Sequence, residues 1–368
     1  MFSSSLSKRR IINFKANRRA FWSSIIFFIL FLLSLFAEII ANDRPILIKY
    51  NSQYFTPIFN FYPEKTFGGD FKTEAIYKDI ELQCLIISGG LIECWDSPEF
   101  IIEDAQDSFI EGKKINKGWI IWPLIPYSYD TINNLDTAAP SPPDSKHWLG
   151  TDDTSRDVFA RIIYGFRLSV FFALVVTLFS SIIGIFAGAI QGYFGGWIDL
   201  IFQRLIEVWG ATPSLYIIII VAAIWQMNFI LLVFLMTLFS WTALVGVVRA
   251  EFLRARNFEY VRAARALGLS NYKIMFRHVL PNAMVATLTM LPFIVTGSIG
   301  SLAALDFIGY GLPASYPSLG ELTLQAKNNL QAPWLGITAF FTFAIMLSLL
   351  VFIFEGIRDA FDPRKTFK

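Results

Sequence analysis

Residues Phe258–Asn282 read FEYVRAARALGLSNYKIMFRHVLPN, and they are a long, basic, helix-prone segment in an otherwise apolar C-terminal half. Ala263, Ala264, Ala266 and Leu267 are strong helix formers, and Gly268 stands where a helix ends on a left-handed residue. Ser270 or Asn271 can cap a second helix, whose apolar Met275 and Val279 lie one turn apart. Pro281 suits the first turn of whatever helix follows. The reading is a short helix, a tight turn and a second helix feeding a membrane span. The alanines of the first helix leave a shallow surface on which a partner can dock.

The composition sets the surroundings. Of 368 residues, 55% are hydrophobic and 16% charged, with 37 phenylalanines and 10 tryptophans. Soluble domains carry about 25% charge, so the balance is that of a lipid-embedded protein, with aromatics for lipid-facing and interfacial positions. Only His147 and His278 supply imidazole, far apart in sequence, which argues against a histidine-rich metal site.

Outward from the basic segment, the chain divides by hydropathy. Residues 1–20 carry Lys8, Arg9, Arg10, Lys15, Arg18 and Arg19 with no acid, and Phe21–Ala41 is apolar for about the twenty residues that cross a membrane. A cleaved signal peptide would have a shorter apolar core and a small-x-small site, so the expectation is an uncleaved first span with a cytoplasmic N-terminus. Further spans are expected at about 168–190, 201–225, 229–248, 283–305 and 334–354, the third interrupted by Pro213 and the fifth kinked at Pro292. Four spans separate the basic N-terminus from the basic loop 249–282, so both lie on one side, and positive charge marks that side as cytoplasmic. The tail, 359–368, then also ends inside.

Between the first two spans, residues 42–165 form an external insert. From Asn42 to Arg167 nineteen acids face twelve bases, as in water-exposed segments. Ile46–Tyr50 and Tyr54–Phe61 read as strands, Trp119–Pro123 as a short apolar strand or a membrane-surface contact, Tyr77–Ile87 as a helix ended by Gly89-Gly90, and Pro140–Pro143 as a linker. Thr154 or Ser155 would cap a helix lying on the membrane surface, with Val158, Phe159, Ile162 and Ile163 on one face and Asp157 and Arg161 on the other. Cys84 and Cys94 are the whole thiol inventory; outside the cytoplasm they are either a disulfide or two buried free thiols.

Glycine and charge mark further positions. Gly184, Gly188, Gly192 and Gly196 recur every four residues. Gly184 and Gly188 are read as a face for close helix packing, and Gly192 and Gly196 as part of the turn around Tyr193–Trp197. Gly297 and Gly300, with Ser298 and Ser301, are read as a second packing face. Arg204 and Glu207, three apart near the inner end of the third span, are a gate candidate or a structural pair. No G-x-x-x-x-G-K-[ST], H-E-x-x-H, G-x-S-x-G or Cys/His metal cluster occurs, so no cofactor is expected in this chain, and nothing in it calls for nucleic acid.

These residues carry a family resemblance. Arg262-Ala263-Ala264-Arg265-Ala266-Leu267-Gly268 followed by Val279-Leu280-Pro281 resembles the EAA loop of bacterial ABC-importer permeases. His147–Asp152 through Arg156-Asp157-Val158 to Tyr164–Arg167 resembles the segment before the second span of the oligopeptide C type. Phe307–Gly311 with Pro317–Gly320 resembles its outer loop, and Gly356–Arg364 its C-terminal signature. The insert, with Trp122-Pro123 and Tyr127–Asn133, is similar to that of the Yej-type branch. One departure is plain: Arg262 stands where the motif has glutamate, and Glu259 is the nearest carboxylate, one turn earlier.

The resemblance implies an all-α polytopic protein with six transmembrane helices in the type I ABC importer permease fold, its core at 166–358, and a periplasmic insert of mixed α/β or irregular structure. It implies a non-catalytic subunit in the bacterial inner membrane that passes peptides or peptide-like compounds by alternating access. Its implied partners are a second homologous permease, two cytoplasmic ATP-binding domains that bind ATP and magnesium, a periplasmic peptide-binding protein, and membrane lipid. Glu259, Arg262, Ala263, Ala264, Arg265, Gly268, Leu280 and Pro281 would form the ATPase joint. An ion-coupled secondary transporter would need midplane charges and inverted repeats, of which only Arg204 and Glu207 are candidates; a membrane-anchored enzyme would have its active site in the insert.

Overall fold

The computed structural model describes residues 5–104, 109–110, 113–114, 116–134 and 138–361. Asp362-Pro363-Arg364 of the C-terminal signature and most of the tail lie outside the described residues. The chain forms two compact units, Leu32–Tyr164, and Met1–Phe31 with Gly165–Lys368.

The chain begins with α1 (Ser5–Ala16), where sequence alone suggested only a basic N-terminus, followed by α2 (Arg18–Leu35) and the short α3 (Ala37–Ile40). The insert then places β1 (Leu47–Tyr50) between β2 (Gln53–Phe55) and, further along, β5 (Trp119–Ile121), all antiparallel, with Ile48 opposite both Phe55 and Ile120. The second strand is shorter than the expected Tyr54–Phe61. Pro57 has no amide hydrogen for a ladder, and the Thr56 carbonyl instead accepts from Phe59 and Asn60 in a turn. Helix α4 (Ile80–Ser88) lays Leu82 and Ile86 on Ile48, Phe67 and Tyr77, and ends on left-handed Gly89 at φ 81°. Cys84 on α4 is bonded to Cys94, Cα to Cα 5.6 Å, in a buried pocket with Leu85 and Ile101 of α5 (Pro98–Asp104). A small hairpin pairs β3 (Phe109–Ile110) with β4 (Lys113–Lys114).

The first long helix of the core, α6 (Val158–Phe194), starts from a knot of buried charge. Asp157 caps it, its Oδ1 accepting the Ala160 amide at 2.8 Å and its Oδ2 meeting His147 Nδ1 at 2.8 Å. Asp152 accepts the Arg156 Nε at 2.8 Å and lies 3.5 Å from the Arg161 Nε. This corrects two expectations. The cap is Asp157 rather than Thr154 or Ser155, and there is no separate surface helix, because Asp157 and Arg161 are buried by these partners instead of facing water.

The remaining helices are α7 (Gly196–Ala211), α8 (Ser214–Ile224), α9 (Phe229–Ser240), α10 (Thr242–Ala255), α11 (Glu259–Ala266), α12 (Asn271–Lys273), α13 (Leu280–Phe307), α14 (Leu319–Asn328) and α15 (Pro333–Phe361). Helices α7 and α8 bend by 65° at Pro213, the geometry of a broken span or of a re-entrant pair. Among the described residues five helices, Arg18–Leu35, Val158–Phe194, Phe229–Ala255, Asn271–Phe307 and Pro333–Phe361, are long and apolar enough to cross a membrane, and the bent pair makes six when counted as one span. Phe172 and Val176, Ile218, Leu232 and Leu235, and Leu302 and Leu305 form one core among α6, α8, α9 and α13. The loop after α13, rich in Gly, Pro and Ser, contains α14. Ser318 caps it, and buried Asp306 at the end of α13 holds the loop by accepting the Leu312 amide at 2.7 Å and the Ser318 hydroxyl.

Helices α6 and α10 meet backbone to backbone. A Cβ on Gly184 would lie 2.6 Å from the Trp241 carbonyl oxygen, on Gly188 2.8 Å from that of Val245, and on Gly192 2.5 Å from that of Arg249. Each four-residue step on one helix is matched by a four-residue step on the other, so three turns run in register. Gly192 therefore belongs to the packing face and not to the turn, which is made by Gly195 and Gly196 at φ 65° and 57°. Gly297 and Gly300 differ: beyond the backbone of their own helix, no atom of the described residues comes within 4 Å of their Cβ positions, so they close no helix contact among those residues.

Gly188→Ala is expected to lower stability by about 1–3 kcal/mol through overpacking. Gly246→Ala, at a helical site with nothing within 4 Å, should raise it by about 0.5–1 kcal/mol; the unfolding midpoints of the detergent-solubilised chain compare the two. Reducing the Cys84–Cys94 bond, which closes a ten-residue separation, should destabilise the insert by about 2–3 kcal/mol, read as earlier proteolytic cleavage within residues 42–130 in urea.

Candidate functional site

The segment 249–282 folds as a hairpin on the ends of α6, α10 and α13. Helix α10 ends at Arg256, and Phe258, extended at ψ 149°, starts α11 with Glu259 in its first turn, where an acid favours the helix dipole. Gly268 takes φ +77° and reverses the chain, and Ser270 leads into α12 and a π-turn over Ile274–Val279. Pro281 sits in the first turn of α13, where its missing amide hydrogen costs no bond. Val261, Ala264, Ile274, Met275 and Val279 close a core with Val248, Phe252 and Ala255 of α10 and Ala189 and Tyr193 of α6. Polar contacts hold its rim: the Tyr193 hydroxyl donates to Asn271 Oδ1 at 2.8 Å, and Arg265 lies over the Tyr193 ring.

The inward face of α11 is thus Val261 and Ala264, and this corrects the expected docking surface. Ala264, only 6% exposed, is core of this chain. The outward face is Tyr260, Ala263 and Leu267, at helical spacings of three and four. Leu267 is 82% exposed at the tip, with Gly268 beside it and exposed Arg262 and Arg265 flanking. The hairpin thus presents one exposed leucine between two exposed arginines. Leu280 is partly packed against the hairpin core, and Pro281 is exposed. The one-residue departure at Arg262 lies in solvent, so it alters what a partner meets and not the hairpin's own packing.

Sequence reasoning singled out Arg204 and Glu207, and they do pair at 2.5 Å along α7, but their side chains are 78% and 55% exposed. It missed a stronger pair. Arg249, at the start of the loop, donates from Nε and Nη2 to the two carboxylate oxygens of Asp199 at 2.6 and 2.7 Å. This bidentate fork ties α7 to α10 beside the last rung of the glycine contact, with the Asp199 side chain 14% exposed. The partners are fifty residues apart, and no local pattern announces them. Among the described residues no group of acids, cysteines and histidines is placed to hold a metal.

Comparison with known proteins bears on the same residues. Residues 180–367, which include the glycine contact, the fork and the hairpin, match the family of binding-protein-dependent transport system inner membrane components. Over 98% of its length the chain is 53% identical to the peptidoglycan transport system permease protein YejE of Agrobacterium fabrum, covering 94% of that protein. It is 50% identical to the inner membrane ABC transporter permease protein YejE of Escherichia coli, covering 98% of each. The oligopeptide transport system permease protein OppC of Bacillus subtilis is 34% identical over 65% of this chain and 78% of its own.

The two ion pairs predict different costs. Asp199→Asn strands a half-buried guanidinium and should lower stability by about 2–4 kcal/mol, whereas Glu207→Gln should change it by less than about 1 kcal/mol. Thermal unfolding of both variants in the same detergent makes the comparison, and equal shifts would reject the fork as the tie between α7 and α10.

Proposed function

The chain belongs to the binding-protein-dependent transport inner membrane components, as a permease subunit of an ABC importer, and we propose that its hairpin 249–282 is the joint to a cytoplasmic ATPase subunit. The observation that carries this reading is the outward face of α11, an apolar knob at Leu267 projecting from a hairpin whose inner face is locked to α6, α10 and α13. A push on the knob reaches three spans at once because no loose layer lies between them.

Charge and thiol chemistry support the orientation. Six bases before the first span and the arginines of the hairpin favour a cytoplasmic face for both. The bonded cysteines of the insert favour an oxidising compartment, outside the inner membrane. In this reading ATP and magnesium are bound and hydrolysed on partner subunits, and this chain performs no catalysis. The uncovered Gly297–Gly300 face of α13 is where we place the second permease, since small residues let helices approach closely. A periplasmic binding protein delivers cargo to the outer face. One relative is named for peptidoglycan transport and another for oligopeptide transport. A peptide is the chemistry common to both, and we assign this permease a peptide or peptide-bearing cargo.

With glutamate replaced by Arg262, the joint rests on shape and on cationic edges. Ala263 and Leu267 enter an apolar socket on the ATPase subunit, and Arg262 and Arg265 meet acids on its border. ATPase closure draws the two hairpins of the permease pair together and turns the spans outward; hydrolysis releases them.

Leu267→Asp puts a charge where an apolar contact is buried, so retention of the co-expressed ATPase subunit on the affinity-tagged permease should fall at least about tenfold. Cargo-stimulated ATP hydrolysis should be lost while membrane insertion is kept. Leu330→Asp, at an equally exposed leucine of the outer loop, is the control and should retain both. Full ATPase retention by Leu267→Asp would remove the hairpin from the joint.

A further inference from the structure

The N-terminal helix forms a feature apart from the hairpin and the glycine contact. Asn17 separates α1 from α2 and caps the second helix, its Oδ1 accepting the Ala20 amide at 3.2 Å. The corner so formed seats on Gly356 of α15, where a Cβ would collide with Ala20 and Phe14. The Arg10 guanidinium lies 4.4 Å from the centre of the Phe361 ring, which anchors the middle of α1. Between the three helices runs an open groove of about 880 Å³, walled by Phe14 of α1, Ile25 and Phe28 of α2, and Ile357 and Phe361 of α15. That volume falls within the roughly 300–1,000 Å³ of small-molecule sites.

We propose that this groove holds one anionic phospholipid, with an acyl chain along its apolar walls and its phosphate at Arg10 and Lys15. Arg10 and Lys15 are the charged side chains that line it. The remaining polar side chain of the lining, Ser24, donates its hydroxyl to the Ala20 carbonyl of its own helix at 2.7 Å. Apart from Arg10 and Lys15, the walls are apolar but for this one hydroxyl, and a peptide segment laid along them would bury most of its backbone groups unpaired. A hydrocarbon chain has no such groups.

The sign of the headgroup follows from charge. Six bases and no acid precede Glu38. Of the acids on α15, neither Glu355 nor Asp359 lines the groove, and Asp359 lies 3.8 Å from Arg358. Ile11 and Ile12 of α1 are exposed beside these bases, the pattern of a helix lying at the membrane interface, where anionic lipid is at hand. The proposal does not depend on the cargo, the ATPase joint or the identity of the second permease.

Native mass spectrometry of the intact transporter complex, purified in neutral detergent, tests it with dioleoylphosphatidylglycerol and dioleoylphosphatidylcholine as probes. The phosphatidylglycerol should be retained and the phosphatidylcholine, with the same chains, should not. Removing one cation should weaken retention about fivefold, and Arg10→Gln with Lys15→Gln about twentyfold. Ser24→Trp, which fills the groove and keeps both charges, should abolish it; because Lys15→Gln and Ser24→Trp leave the Arg10–Phe361 contact in place, they test the site even where Arg10→Gln loosens α1. Arg18→Gln with Arg19→Gln, at bases that do not line the groove, should leave retention within about twofold of the parent. Equal retention of the two lipids overturns the proposal, as does an equal loss on removing Arg18 and Arg19, which would mean diffuse surface attraction. A benzophenone side chain in place of Ile25 should yield a lipid adduct on illumination, and an adduct to protein would give the groove to a polypeptide.

Discussion

Where Gly184, Gly188 and Gly192 lie against α10, main chain touches main chain, and the position of the hairpin beyond follows from that contact. Side chains of any size would hold the two helices further apart and carry Val248 and Phe252 away from Tyr193 and Ala189. The core beneath α11 is built on those four residues, so it exists only at this separation. The Asp199–Arg249 fork adds a third helix at the same level, with a geometry that planar guanidinium and carboxylate groups satisfy in one orientation. Close backbone contact and bidentate pairing are both intolerant of small displacements, so the hairpin is held to the ends of these helices in one position.

Much of this was legible in the chain. Apolar runs of about twenty residues located five long apolar helices and a sixth, bent pair, the alternation of Gly268 and Pro281 with helix formers located the hairpin, and Pro213 located the bend between α7 and α8. These are local signals, each read within a few residues. What escaped notice was set by partners distant in sequence. The face of α11 that points inward was hidden because an alanine suits a tight core and an open surface equally well; only Ile274 and Met275 packing against Ala264 decide it. The role of Gly192 was hidden because a glycine near a turn has two sufficient explanations. Asp199 gave no sign of itself beside Arg204 and Glu207, whose spacing on one helix advertised a pair that proves to be solvent-exposed. In the outer loop, Gly, Pro and Ser concealed α14, which is held by an aspartate on the preceding span.

The start of α6 shows the same economy with charge. Asp152, Asp157, Arg161 and His147 are buried together, and a buried charge is tolerable only with a complement close at hand. Asp157 answers both the helix's unpaired amides and the imidazole of His147, so one carboxylate fixes where the helix begins and which way the preceding loop runs. A reading by amphipathic period assigns these residues to a wet face because it weighs polarity and not partnership.

The bond between Cys84 and Cys94 also has a consequence for how the insert is closed. It closes within α4 and the turn after it, whereas β1 acquires its second neighbour only when Trp119–Ile121 has emerged. The cross-linked segment is therefore complete in sequence about two dozen residues before the strand that finishes the sheet. The bond makes α4 and the turn after it one local unit, and the late strand is met there by the Ile87 carbonyl of α4, which accepts the Gly118 amide at 2.9 Å. Covalent closure is thus local in the chain while sheet closure is distant, and the first needs none of the residues that supply the second.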